Sequence, residues 1–364
     1  MEKLKNIEFL RIIGCIAIIF LHLFSAEHLF TLFPDIDIYR KLYSMTYNGQ
    51  KAVDLFFILS GFFFILTTNI KESSFIDFIK KKIIRFYPVL IFLMFITFVI
   101  SLFGILKFDL YTNILTLFGL NGTGLTLEQS GNIGRFWYVS AMLWVMLLFY
   151  YLLKNFDKKY VNLSIGLMIY FSYLFILNAK GGRISGPTTT YAYIFNIGML
   201  RAVAGIGIGY FIGNWYKSNI DTIRNICLSL KQQIFISVVE LLCLFFIINN
   251  LLLHKIKYKN NIIFILVFTL TIVLFLIRKG FFSKLLDKDI WLKLSKYTYS
   301  FYMSHLTVIN ILHATVWKTH SYQIYEHPLI NIFVTLFLIL AFGLITYHFV
   351  EKPAVLYFSQ LRKK

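Results

Sequence analysis

The sequence predicts an all-α fold, a polytopic membrane helical bundle of about ten transmembrane helices with both termini cytoplasmic. Three observations carry that prediction. Of 364 residues, 58% are hydrophobic and 15% charged, against roughly 45–50% and about 25% in soluble domains. Mean hydropathy is +0.72, which leaves too little polar surface to coat a water-soluble body. Apolar runs of about 20 residues, the length that crosses the hydrocarbon, recur along the whole chain.

In chain order the runs cover about 7–26, 53–70, 87–106, 136–153, 160–178, 194–215, 234–253, 262–277, 298–315 and 329–350. The second, eighth and ninth are short, and His305 and His313 interrupt the ninth. Lys3 and Lys5 before Phe9 to Phe24 imitate a signal peptide, but no A-x-A spacing follows and the run holds Arg11 and His22. It is therefore expected to be a retained first span. The longest outer loops are about 27–52 and 107–135, the latter holding Asn121-Gly-Thr-Gly. Around 285–297 an amphipathic stretch with Trp291 is expected along the cytoplasmic interface. Glu351-Lys-Pro353 is expected to stop the last helix, because Pro disfavours helical backbone before it.

An even number of spans puts both termini on one side. Segments on that side hold 23 Lys and Arg residues against 11 on the other, with Arg11 and Arg201 inside spans. By the positive-inside rule the termini are cytoplasmic. The net charge of +19 is then mostly topological, and nucleic acid is not needed to explain it. No repeat or linker divides the chain, so residues 1–364 read as a single domain. Cys15, Cys227 and Cys243 are too few and too scattered for a disulfide framework or a metal site, and no metal is expected.

Ionisable groups inside spans are costly unless they face a cavity or find partners, so each is a candidate for function. Arg11 and His22 lie eleven positions apart, which at about 100° per residue returns them to one helix face, roughly 16 Å apart along the axis. Arg11 reads either as a snorkelling side chain or as a group at the cytoplasmic mouth. His22 reads either as a hydrogen-bonded core histidine or as a base, since imidazole accepts and returns a proton near neutral pH. Asp54, entering from the outer side, either caps its helix or orients His22. Glu27, five residues from His22, falls about 140° away and is a poor partner. Lys82 and Arg85 meet on one face at i, i+3, where they either obey the positive-inside rule or clamp a phosphate. Trp137-Tyr138 reads as an aromatic belt. Arg201, with Gly205, Gly207 and Gly209 beyond it, and Glu240 are intramembrane, and at least one is expected to line a cavity. Tyr299-Ser-Phe-Tyr302-Met-Ser304-His305 is polar for a span and favours a wet interior.

Together these features resemble the bacterial acyltransferase-3 family, integral membrane O-acyltransferases that modify surface and secreted glycans. Arg11-x10-His22 matches the family's first-span pattern, and Val53-Asp54-Leu-Phe-Phe-Ile-Leu-Ser60-Gly61 is close to its V-D-x-F-F-x-L-S-G. Tyr299 to His305 and Val350-Glu-Lys-Pro353 match weaker C-terminal signatures. The family's R-x-x-R appears as Lys82-x-x-Arg85, and its W-x-L-S-x-E as Trp137-Tyr-Val-Ser140-Ala-Met142, without the Glu.

The resemblance implies an enzyme, an O-acetyltransferase-like protein of the bacterial cytoplasmic membrane. Its donor would be cytosolic acetyl-CoA, or another acyl-CoA, bound through Arg11, Lys82 and Arg85. The acceptor would be a glycan or lipid-linked glycan. His22, with Asp54, would be catalytic, as general base or as transient acyl carrier. Membrane lipids and other polysaccharide-biosynthesis proteins are the remaining expected partners. The resemblance is to members without a C-terminal soluble esterase-like domain, so the membrane body is expected to hand on the acyl group itself or to a separate protein. The rival reading is a polysaccharide or lipid exporter, which also needs many spans and polar cavities but not a phosphate clamp aligned with a buried His.

Overall fold

A computed structural model describes residues 4–25, 28–121, 136–179, 190–191, 195–253 and 262–361. Ten long helices dominate: α1 (Lys5–Leu23), α2 (Ala52–Thr67), α3 (Phe75–Leu102), α4 (Trp137–Asn155) and α5 (Lys158–Ala179), then α6 (Ile197–Asn225), α7 (Leu230–Ile248), α8 (Ile262–Ile277), α9 (Thr298–Ala314) and α10 (Pro328–Thr346). Each corresponds to one expected run. Among the described residues, eight helices are long and apolar enough to span a membrane, α2 being counted together with the helical residues from Asp37 that lead into it. The others are α8 and α9, at 16 and 17 residues, two of the runs read as short. Besides helices, the described residues hold a two-residue antiparallel ladder, Thr190–Tyr191 with Phe195–Asn196.

Helix starts follow local chemistry. Ser74 accepts from the Asp77 amide at 3.0 Å to open α3, Asn196 accepts from Met199 to open α6, and Ser229 with Gln232 forms a capping box at α7. Each satisfies amides that the first turn leaves without helical partners. Between α1 and α2 the chain is helical too, through Asp37–Thr46 and a 3-10 turn, Tyr47–Lys51. In the 107–135 loop a short helix, Leu110–Leu117, is capped by Asp109. The Thr112 hydroxyl, followed by local backbone amides, holds the Asp109 carboxyl below its ordinary range. Glu27 and residues 122–135 lie outside the described residues.

Two boundaries correct the sequence reading. Helix α3 begins at Phe75, twelve residues before the expected 87, so Lys80 to Arg85 are helical and Pro88 lies inside the helix. Hydropathy stops at charges, whereas backbone hydrogen bonding does not. At the other end Pro353 does not stop the chain. The backbone stays helical through a π-turn over Tyr347–Glu351 and on into Lys352–Leu361, which carries Pro353 at its second position.

The helices alternate in direction, and their charged ends gather on one side. Asn6 at the start of α1 donates to the Phe275 carbonyl of α8 at 2.7 Å. Lys279, beyond α8, donates to the Arg224 carbonyl of α6, and Lys154 of α4 donates to carbonyls of Ile70, Lys71 and Ser73 beyond α2. The amphipathic 285–297 stretch includes a helix, Asp289–Ser295, tied to α1 by the Lys5–Asp289 ion pair and by Trp291 edge-on to Phe9 at 4.9 Å. Helices α2 and α6 are in backbone contact. A Cβ at Gly61 would strike the Ile206 carbonyl, and one at Gly209 the Ile58 carbonyl. Small residues let helices approach this closely in lipid, where apolar packing replaces the hydrophobic drive.

Candidate active site

Neither Arg201 nor Glu240, the two intramembrane charges expected to include a cavity-lining group, lines the cavity that holds Arg11, Lys82 and Arg85. Each serves another helix instead. Glu240 accepts from the Phe282 and Ser283 amides at 2.9 and 3.1 Å, holding the turn after α8. Arg201 Nε and Nη2 donate to the two carboxylate oxygens of Asp54, both at 2.9 Å, and Nη2 also donates to the Gln50 carbonyl. Both side chains of this pair are 2% exposed. Where the sequence expected Asp54 to orient His22, both of its carboxylate oxygens accept from Arg201. A guanidinium fork matches a carboxylate better than one imidazole nitrogen does.

A cavity of about 300 Å³ lies between α1, α2, α3, α4 and α9, toward the end of the bundle that the positive-inside rule makes cytoplasmic. Arg11, Lys82 and Arg85 all line it, so the structure brings together the three cations that the sequence singled out. Their settings differ. Arg11 is paired with Glu8 at 2.7 Å, one turn back on the same helix. The Lys82 ammonium lies over the Phe78 ring at 5.3 Å. Arg85 is paired at 2.5 Å with Glu351, whose other oxygen accepts from Ser300 at 2.5 Å. Arg85 remains 38% exposed while Glu351 is 1% exposed, so the carboxylate fixes the guanidinium from behind and leaves its other donors toward the cavity. Tyr299, whose ring lies 5.8 Å from the Arg85 guanidinium, anchors itself by donating to the Phe86 carbonyl.

His22 does not line this cavity. Its ring stacks on that of His305 with centroids 5.4 Å apart and planes 21° apart. His305, fully buried, bonds through Nδ1 to the Phe301 carbonyl at 3.2 Å and lies 6.1 Å from the Tyr302 ring. Tyr302 does line the cavity. The histidine pair thus begins one ring beyond the cavity's outward end. Further out, His28 bonds Ser25 and Asn310 and meets His313 edge-on at 5.9 Å. A basic cavity leading toward stacked imidazoles can hold an anionic, elongated donor and set its reactive end near a base.

Sequence reasoning missed the Arg85–Glu351 pair and the stacking of His305 on His22. Both partners belong to C-terminal segments already marked as unusual, the polar Tyr299–His305 run and the Glu at the last helix end. Among the described residues no cluster of three or more His, Cys, Asp or Glu side chains could hold a metal ion.

An alternating bundle of apolar helices with a cation-lined interior cavity and buried imidazoles defines an integral membrane protein whose chemistry sits inside the bundle. A family model described as "Acyltransferase domain" (Acyl_transf_3) matches residues 4–348. The chain belongs to that family, and is a multi-pass membrane O-acyltransferase. No curated protein and no solved structure matches it.

Proposed function

We propose that this enzyme moves an acetyl group from cytosolic acetyl-CoA to a hydroxyl of a surface or secreted glycan, or of its lipid-linked precursor, in a bacterial cytoplasmic membrane. The observation that carries this reading is the shared cavity of Arg11, Lys82 and Arg85, which ends one ring short of the His22–His305 stack. The three cations suit the phosphates of the donor's nucleotide. Tyr138, Tyr302 and the apolar walls suit the less polar pantetheine arm.

His22 takes the proton of the acceptor hydroxyl as its oxygen attacks the thioester carbon. The carbon–sulfur bond breaks, the carbon–oxygen ester bond forms, and the proton passes to the leaving thiolate, giving free CoA thiol. If His22 instead carries the acetyl group, a carbon–nitrogen bond to its ring forms as the carbon–sulfur bond breaks, and that bond breaks in turn as the acceptor oxygen forms the ester. Asp54 acts by holding α2 to α6, not by touching the imidazole.

His22→Ala is expected to abolish O-acetyl signals in the proton NMR spectrum of the cell's surface glycans while polymer export continues. Acetylation at the normal level would remove His22 from the mechanism, and loss of export would favour the transporter reading. Mass-tagged acetyl trapped on His22 in the absence of acceptor identifies the two-step route.

A further inference from the structure

The cavity has an ordered depth. Helices α2 and α4 run from the outer side inward, and α9 runs the opposite way, so sequence position gives depth along each. The lining residue farthest from the cytoplasm is Phe56 on α2, Tyr138 on α4 and Tyr302 on α9. Their rings form a closed triangle. Centroids are 6.2 Å apart for Phe56–Tyr138, 6.4 Å for Phe56–Tyr302 and 5.7 Å for Tyr138–Tyr302. Beyond Tyr302 come His305 and then His22, each one ring contact further.

Two of the three rings have named supports. The Tyr138 hydroxyl is hydrogen-bonded to Ser60 Oγ at 3.0 Å, and its ring lies 4.7 Å from that of Phe57. The Phe56 ring rests against bare backbone at Gly14, one turn beyond Arg11 on the way to His22 along α1. A Cβ there would come within 3.2 Å of its edge. Tyr302 is 7% exposed. Rings packed this closely yield little, since interiors are as dense as organic crystals and inserted methylenes force off-rotamer shifts.

We infer that the Phe56–Tyr138–Tyr302 triangle is the gauge that sets acyl chain length: a two-carbon acyl group passes the rings toward His22, and a medium-length chain does not. The inference rests on the donor reading proposed above, and adds to it which residues select the acyl class. A longer chain must displace at least one ring from its neighbours, and Phe56 is the one that carries no hydroxyl to anchor it.

The test measures kcat/KM of the purified full chain in lipid nanodiscs with acetyl-, butyryl- and octanoyl-CoA, following CoA thiol release in the presence of acceptor glycan. The wild type is expected to prefer acetyl to octanoyl by about 100-fold or more, as steric rejection by a packed pocket can supply over several methylenes. Phe56→Ala is expected to raise the octanoyl-to-acetyl ratio by about tenfold or more, and Phe56→Leu by less. Gly14→Ala, which presses the Phe56 ring toward the cavity, is expected to lower the butyryl-to-acetyl ratio. A wild type that uses octanoyl within threefold of acetyl overturns the gauge and leaves the donor reading standing. So does an unchanged ratio in folded Phe56→Ala and Phe56→Leu, judged by monodisperse size exclusion. A wild type that uses no acyl-CoA and gains no thermal protection from CoA overturns the donor reading, and the gauge with it.

Discussion

Two arginine–carboxylate pairs stand at opposite ends of the bundle, and they do different work with the same groups. On the outer side, Arg201 and Asp54 close on each other through two bonds of 2.9 Å, with both side chains 2% exposed and the Trp137 ring 5.9 Å from the guanidinium. On the cytoplasmic side, Glu351 is as buried as Asp54, but Arg85 is 38% exposed and lines the cavity. The first pair satisfies itself and braces α2 against α6. The second buries only its anion, so the cation is aimed and still available. Burial of one partner or of both thus separates a brace from a binding group.

The largest effect is expected from breaking the brace. Arg201→Ala leaves the Asp54 carboxylate buried without its guanidinium and is expected to cost about 3–5 kcal/mol, read as a large drop in unfolding temperature in detergent. Asp54→Asn is expected to follow it in stability. An Asp54→Asn protein that unfolds at the wild-type temperature yet has lost acyl transfer would return the carboxylate to direct catalysis. Next comes Arg85→Ala, expected to raise the KM for acetyl-CoA about tenfold or more with a small change in unfolding temperature. Arg85→Lys is expected to recover only part of that, because an ammonium lacks the planar fork. Glu351→Gln keeps an acceptor for Ser300 but loosens Arg85, so its KM change is expected to be smaller than that of Arg85→Ala. The smallest effect belongs to Lys5–Asp289, an ion pair at 3.0 Å with 31% and 72% exposure. Asp289→Asn is expected to shift stability by under about 1 kcal/mol; a larger loss would mean that burial is not what ranks these pairs.

The spans were legible because the bilayer imposes a length and a composition on each crossing helix, and those are local properties. The common face of Arg11 and His22 was legible for the same reason, through helical periodicity alone. Which helix meets which was not. Asp54 read as a helix cap or as a partner for His22 in the sequence, and only the packing of α2 on α6 selects Arg201. Glu351 looked like the start of a stop signal, because its partner Arg85 lies on α3, far away in the chain. The family resemblance marked both segments without saying that one of them supports the other. The aromatic triangle was partly visible, since Tyr138 and Tyr302 sit in segments singled out for other reasons. Tyr138 read as an interface anchor, and its contact with Ser60 places it over the cavity instead.

The bare-backbone contact between α2 and α6 has a mechanical consequence. With Gly61 against the Ile206 carbonyl and Gly209 against that of Ile58, and with the Arg201–Asp54 pair joining the same two helices, little room is left for α2 and α6 to shift against each other. Helix α9 is similarly pinned to α10, where a Cβ at Gly343 would overlap the Phe301 ring. Compliance is left to α3, mostly lipid-facing and carrying Pro88 two residues past the last position it contributes to the cavity. Proline removes a backbone hydrogen bond there and weakens the helix against bending. Among the helices that line the cavity, α3, which carries Lys82 and Arg85, is the one with a proline in its interior, so a bend there moves those two cations relative to α9, on which His305 is mounted.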